Sequence, residues 1–284
     1  MTSTDSTSLR GRNVFITGAN TGIGRVTARE LAQRGARVFV ASKSKERTQA
    51  LIDEVAAIPG AAPIEWLALD LGDLASVRHC AAEFLARNEP IHILINNAGL
   101  AGTRGQTTDG FELAFGVNHL GHFLLTQLLL ERVVQSAPAR IVTVSSRAHY
   151  RCKAIQWDAL RQRTPTTTAI AEYAQSKLAN LLFSAELSRR LEGTGVTTYS
   201  LHPGVVATEV WRHVPWFLRP LLKLGGMITA EEGAKTTLHC AIAPALANES
   251  GLYYDKCKPR TPSALGQDAA LAKTLWERSE AFVK

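Results

Sequence analysis

The sequence predicts an α/β protein built on one doubly wound parallel sheet, a single domain with a small C-terminal substrate lobe. Three observations predict it. Short apolar runs rich in Val, Ile and Leu alternate with longer stretches of helical period along most of the 284 residues. Such strands are apolar on both faces, as a parallel sheet covered by helical crossovers requires. A glycine-rich turn follows the first of them, and no Pro-, Gly- or Ser-rich linker divides the chain.

The strands are expected at 14–17, 37–41, 64–69, 91–95, 140–144 and 196–201, and the helices around 23–34, 45–57, 73–87, 110–135 and 171–192. The last helix is apolar almost all round, with Leu178, Ala179, Leu181, Leu182, Phe183, Ala185 and Leu187. A helix of that kind is buried on more than one side, in a large core or at a subunit contact, and a homodimer through it is one expectation. Beyond residue 205 the alternation stops. Trp211, Trp216, Phe217 and Leu218 lie in an apolar and basic stretch broken by Pro215 and Pro220, read as a substrate lobe over about 205–228. It is too short and too charged to span a bilayer. Interfacial contact with a membrane through 211–224 is the alternative reading.

Composition narrows the class. Residues 1–11 are polar, without the apolar core of a signal peptide, and are expected to be a flexible tail on a cytoplasmic protein. The four cysteines, Cys80, Cys152, Cys240 and Cys257, have no paired or metal-type spacing. The net charge of +7 is dispersed rather than gathered into a basic block, which argues against nucleic acid. Some of it suits a phosphorylated cofactor instead.

The turn after the first strand reads Gly18-Ala-Asn20-Thr21-Gly22-Ile23-Gly24. Glycines permit a tight turn and close approach of the backbone, and the helix that follows presents N–H groups to a pyrophosphate, as in Rossmann-type folds. NAD-selective sites carry a carboxylate ~20 residues beyond the first glycine to hold the ribose 2′-hydroxyl. Here the second strand ends in Ser42-Lys43-Ser44-Lys45, with no acid before Glu46. A hydroxyl beside ammonium groups suits a 2′-phosphate, so NADP(H) is the expected cofactor.

Tyr173 and Lys177 are four residues apart on the helix expected at 171–192, and so share a face. A phenol titrates near ~10 in water, and an ammonium within reach typically shifts it by ~1–3 units toward ionisation. Lys177 is therefore expected to lower the pKa of Tyr173 into the range of efficient general acid–base catalysis.

Taken together these motifs resemble the short-chain dehydrogenase/reductase family. Thr17-Gly18-x-x-x-Gly22-x-Gly24 is similar to its cofactor motif, Asn96-Asn97-Ala98-Gly99 to the turn after its fourth strand, and Tyr173-x-x-x-Lys177 to its catalytic pair. Pro203-Gly204-Val205-Val206-Ala207-Thr208 resembles the stretch that cradles the nicotinamide. Val117-Asn-His-Leu-Gly-His-Phe-Leu-Leu-Thr126 and Ser176-Lys-Leu-Ala-Asn180 are most similar to its retinol dehydrogenase-like and WW-domain oxidoreductase-like branch.

The resemblance implies a catalytic tetrad of Asn118, Ser146, Tyr173 and Lys177. Ser146 would hold the substrate oxygen, with Ser145 the alternative, since successive strand residues face opposite sides. Tyr173 would exchange its proton, Lys177 would also bond the nicotinamide ribose, and Asn118 would position a water. Asp70 and Leu71 are placed at the adenine, and Pro203, Gly204, Val206 and Thr208 at the nicotinamide. Between serine and tyrosine lies an insert of 26 residues, 147–172, in which Tyr150, Ile155 and Trp157 are expected to join Trp211 and Trp216 around a hydrophobic carbonyl or alcohol. His119 and His122 have the spacing of two metal ligands, but no third is visible and packing is the preferred reading. The rival from another class is a nicotinamide-binding regulator without catalysis.

Overall fold

The computed structural model describes residues 8–205 and 228–284. Its first strands and helices alternate as β1 (Asn13–Thr17), α1 (Gly22–Gln33), β2 (Arg37–Ser42), α2 (Lys45–Ala56), β3 (Ile64–Ala68), α3 (Leu74–Ala86) and β4 (Ile93–Asn96). Then come α4 (Leu113–Gln135), β5 (Ala139–Val144), α5 (Ile170–Arg190) and β6 (Val196–His202). The final part adds α6 (Ala230–Ile242), β7 (Leu252–Asp255), β8 (Lys258–Pro259) and α7 (Ala269–Phe282), none of which stands out in the sequence pattern.

All eight strands form one sheet in the order β3-β2-β1-β4-β5-β6-β7-β8, parallel except for β8. The chain runs outward in one direction from β1 and then in the other from β4. The crevice at the carboxyl ends of those two strands is where doubly wound sheets bind ligands. Period-two alternation assigns the two faces. Phe15 and Phe39 point to one side, where both meet the edge of Phe84 from α3, at 5.3 and 5.0 Å between ring centroids. Val14, Ile16, Val38 and Val40 point to the other, under the buried residues of α1 and α2.

Helix α4 begins in an irregular way. Glu112 accepts from Phe115 N at 2.8 Å, and Gly116–Leu120 then forms a π-helical turn that carries Asn118. Such turns interrupt helices mostly at functional sites. Among the described residues α4 is the one helix apolar and long enough to cross a bilayer, yet 72% of its most apolar window is buried inside the molecule. It is a core helix.

The apolarity of α5 is explained within its own chain. The apolar sides of this helix are covered by its own chain, with α7 as the distant partner. Trp276 of α7 stacks on Phe183 at 5.8 Å and 14°, with the Arg190 guanidinium 4.2 Å from the indole. Leu178 and Leu182 pack with Leu275, and residues of the insert, Ile155 and Leu160, join the same cluster.

Candidate active site

The glycine turn meets the turn after β4. Gly18 has φ +66°, and a Cβ on it would lie 2.7 Å from that of Ala98. A Cβ on Gly24 would lie 2.5 Å from Asn97 Nδ2, which itself donates to the carbonyls of Thr17 and Gly18 at 2.8 and 3.2 Å. The two turns thus lock only if both glycines lack side chains. Thr21 enters α1 in extended conformation without a side-chain cap, and the first helical turn has no acid. The free N–H groups and the positive end of the helix dipole fit a pyrophosphate.

These residues open on a cavity of about 960 Å³, lined by Gly18, Asn20, Thr21, Gly22, Ile23, Gly24, Leu71, Asn97, Ala98 and Gly99. At one end it is bounded by Ser42, Lys43, Ser44 and Arg47, at the other by Ser146, Tyr173, Lys177, Pro203 and Gly204. Its volume and lining suit a nicotinamide dinucleotide with a substrate beside it.

Near the β2 end the expected residues differ in what they have free. The Ser42 hydroxyl is committed to packing, because it accepts from Trp66 Nε1 at 3.1 Å and bonds Thr48 Oγ1 at 2.8 Å. Lys43 pairs with Asp70 at 2.8 Å, and the other carboxylate oxygen of Asp70 accepts from Gly72 N at 2.8 Å. Asp70 itself is not among the lining residues, whereas Leu69 and Leu71 are.

At the catalytic end, β5 runs out through two serines whose side chains part. Ser145 N donates to Leu201 O at 2.8 Å and its Oγ to Lys177 O at 2.6 Å, so this hydroxyl is spent on the backbone. Ser146, in extended conformation, accepts from Ala148 N at 3.1 Å and lines the same cavity as Tyr173. The pleat thus decides between the serines in favour of Ser146.

The electrostatics differ from the expectation for the pair. Lys177 Nζ donates to Val144 O at 2.9 Å and lies 5.8 Å from the centroid of the Tyr173 ring. Burial pushes the phenol above its ordinary value, with the nearby Ser146 hydroxyl opposing. Burial also brings the ammonium down to about 8. Desolvation outweighs the attraction that helical spacing suggests. Asn118 is likewise more occupied than a water-positioning role needs. Its Nδ2 donates to Leu100 O and Ser176 Oγ at 3.0 and 2.9 Å, and its Oδ1 accepts from Leu100 N at 2.9 Å. A Cβ on Gly99 would come within 3.2 Å of Asn118 Oδ1 and 3.3 Å of Lys177 Nζ, which makes this turn a wedge between them.

The insert requires a correction. Neither Tyr150 nor Trp157 lines the cavity. Tyr150 donates to Thr261 O at 2.5 Å and lies over His149, while Trp157 sits under the Arg278 guanidinium of α7 at 4.5 Å. Ile155 is core. Partners in the C-terminal segment hold both side chains, and Arg147, Ala148 and Arg151 line the cavity instead. Val206, Thr208, Trp211 and Trp216 lie outside the described residues.

Several supporting residues carry no sequence signal. His149 bonds Ser146 O through Nδ1 at 2.6 Å and accepts from Ser263 N at 3.2 Å. Asp255 receives both Arg147 and Arg260, at 2.6 and 2.8 Å. The segment after Ser146 is thereby tied to the chain's last quarter. Glu172 accepts from both the N–H and the hydroxyl of Thr166, at 3.1 and 2.6 Å, and holds the end of the insert to α5. His119 bonds Ser279 Oγ at 3.0 Å and His122 bonds Thr17 Oγ1 at 2.8 Å, so the two rings serve different partners.

Comparison with known proteins agrees with this architecture. The sequence model of the short chain dehydrogenase family matches residues 12–158. Human retinol dehydrogenase 12 is 48% identical over 278 residues, covering 95% of this chain and 86% of that protein. Human retinol dehydrogenase 11 is 45% identical over 279 residues, covering 97% and 87%. A crystal structure of an uncharacterised protein from Mycobacterium paratuberculosis superposes with a TM-score of 0.79 at 36% identity, covering 100% of this chain and 97% of that one. A short-chain type dehydrogenase/reductase from Mycobacterium marinum gives 0.69 at 26% identity, covering 88% and 96%. With a matching family model, such relatives and this sheet, the chain belongs to the short-chain dehydrogenase/reductase family, in its retinol dehydrogenase-like branch.

Proposed function

We propose that this protein is an NADP(H)-dependent oxidoreductase that acts on a hydrophobic carbonyl or alcohol, with Tyr173 as its acid and base. The observation that carries this reading is the convergence of Ser146 at the end of β5, Tyr173, and Lys177 one helical turn beyond, on the same cavity as the glycine turn. The cofactor, when bound, accepts or supplies the hydride. Ser146 holds the substrate oxygen, and Tyr173 gives it a proton in reduction or removes one in oxidation. Lys177 keeps a positive charge beside them and bonds the ribose, and Asn118 holds the Leu100 turn against α5.

NADP(H) is favoured by Lys43, Ser44 and Arg47 at the end of the cavity where an adenine ribose would lie, with Glu46 the first acid after β2. Leu100, Ala148 and Val205 give the substrate end an apolar lining. Similarity to retinol dehydrogenases 11 and 12 supports an apolar alcohol or aldehyde of retinoid type. We place the protein in the cytoplasm.

The test is a panel of apolar aldehydes and ketones, retinal included, run with NADPH and NADH side by side. Turnover with NADPH that falls by 10²–10⁴ in Tyr173→Phe, while NADPH binding persists, is the expected result. Binding with no turnover on any substrate would favour the regulator instead.

A further inference from the structure

His122 lies in α4, buried, with its two ring nitrogens facing in opposite directions. Nε2 is 2.8 Å from Thr17 Oγ1, and Nδ1 is 3.0 Å from the carbonyl oxygen of Asn118. Thr17 closes β1 immediately before the glycine turn. Its hydroxyl oxygen already accepts two backbone N–H groups, Asn97 and Ala98, both at 3.0 Å.

Counting donors leaves one arrangement. A hydroxyl oxygen has two lone pairs and one proton. With both pairs taken by Asn97 and Ala98, Thr17 can only donate, so Nε2 must be the acceptor and carry no proton. At the other end a carbonyl only accepts, so Nδ1 must carry one. The two ends demand the same neutral tautomer independently. A second proton would also be desolvated and would face the Lys177 ammonium. Every member is satisfied, and in a buried network that makes the geometry stiff.

We propose that His122 is a positioning residue that couples the cofactor turn to the catalytic helix, and that it does so as the neutral Nδ1–H tautomer. On one side it orients the Thr17 hydroxyl, and through it the Asn97–Ala98 turn against which Gly18 and Gly24 pack. On the other side it holds the carbonyl of Asn118, whose side chain pins Leu100 and reaches Ser176 on α5. One ring thus sets two distances that the reaction needs at once, from cofactor turn to sheet and from Asn118 to α5. This inference rests on the oxidoreductase reading above for what the two distances serve, but not for the tautomer.

Two substitutions separate the halves. An asparagine amide ends at the level of Nδ1, so His122→Asn can still donate to Asn118 O but cannot reach Thr17. A glutamine amide ends at the level of Nε2, so His122→Gln can accept from Thr17 but releases Asn118. NADPH affinity is measured by its fluorescence and kcat at saturating NADPH with the best aldehyde of the panel. His122→Asn is expected to weaken NADPH binding about tenfold with kcat within about threefold, and His122→Gln to do the reverse, each the loss of one net hydrogen bond. Equal losses in both variants, or none, overturn the coupling. Nitrogen-15 NMR of the wild-type imidazole reads the tautomer directly: a protonated Nδ1 and bare Nε2 is expected at pH 7, and the opposite tautomer overturns the proposal even if neither variant folds. If the wild type binds NADPH but turns over nothing, the oxidoreductase reading fails, and the NADPH-affinity and tautomer results still decide His122.

Discussion

The ammonium of Lys177 donates to the carbonyl of Val144, 2.9 Å away, and Asn180 Nδ2 reaches the same oxygen at 3.1 Å. The lysine is therefore anchored to the end of β5, the strand that also delivers Ser146. Its burial places the pKa at about 8. Below that pH the ammonium is present, and as pH rises through it the charge is lost. NADPH affinity should fall as pH climbs from 7 to 9, and Lys177→Met should bind weakly with no such slope. Fluorescence titration of NADPH across this range checks it, and a flat wild-type profile would remove Lys177 from the cofactor site.

Ser145 and Ser146 predict opposite phenotypes from the same chemical change. Ser146→Ala removes the hydroxyl near Tyr173 and should lower kcat by roughly 10²-fold or more, with the melting temperature held. Ser145→Ala removes a buried bond to Lys177 O and should cost about 1 kcal/mol of stability, with activity nearly intact. Steady-state kinetics and thermal melts on the two variants suffice. Interchanged results would mean that the pleat is read the wrong way round.

Lys43→Ala bears on cofactor choice. It removes a cation where the proposed NADP(H) would place its 2′-phosphate and leaves the Asp70 carboxylate, its 2.8 Å partner, without its counter-ion. Both changes disfavour a phosphate. KM for NADPH should rise about tenfold, the loss of one charge-assisted contact, while KM for NADH hardly moves. Parallel changes for both cofactors would mean that Lys43 does not face the phosphate.

Buried histidines make stability depend on pH, and three of them are shifted far. Burial lowers the pKa of His119 to about 3 and of His122 and His202 to about 4. Between those values and the ordinary 6.5, the unfolded chain binds protons that the native state refuses. Stability is then complete above pH 6.5 and is lost as pH falls toward 4, at roughly 1.4 kcal/mol per pH unit for each ring. The thermal midpoint should drop on the order of 10 °C between pH 6.5 and 5. A midpoint unchanged over that interval would mean that these rings do not stay neutral in the native state.

The fold was legible because the pleat and the helical period are local. All six strands expected from apolar runs occur, and their ends shift by no more than two residues: Ile91 is buried, but its N–H goes to Ser136 Oγ instead of a neighbouring strand. The meeting of the glycine turn, Ser146, Tyr173 and Lys177 was legible through motif order. What failed depended on partners remote in sequence. Residue type could mark Tyr150 and Trp157 as large and apolar, but not that Thr261 and Arg278 would claim them. Spacing put an ammonium near a phenol, but not the depth at which both sit. Neither β7 nor α7 stood out, since β7 is four residues long and is defined by its pairing with β6.

Helix α7 has a consequence of its own. Its aromatic and aliphatic side chains occupy the flank of α5 where Phe183 and Leu182 would otherwise meet water. Without α7 that flank would be an apolar ridge open to water, a surface of the kind that draws a second apolar partner. With α7 in place the ridge is capped from within the same chain, and α5 needs no neighbour to bury it.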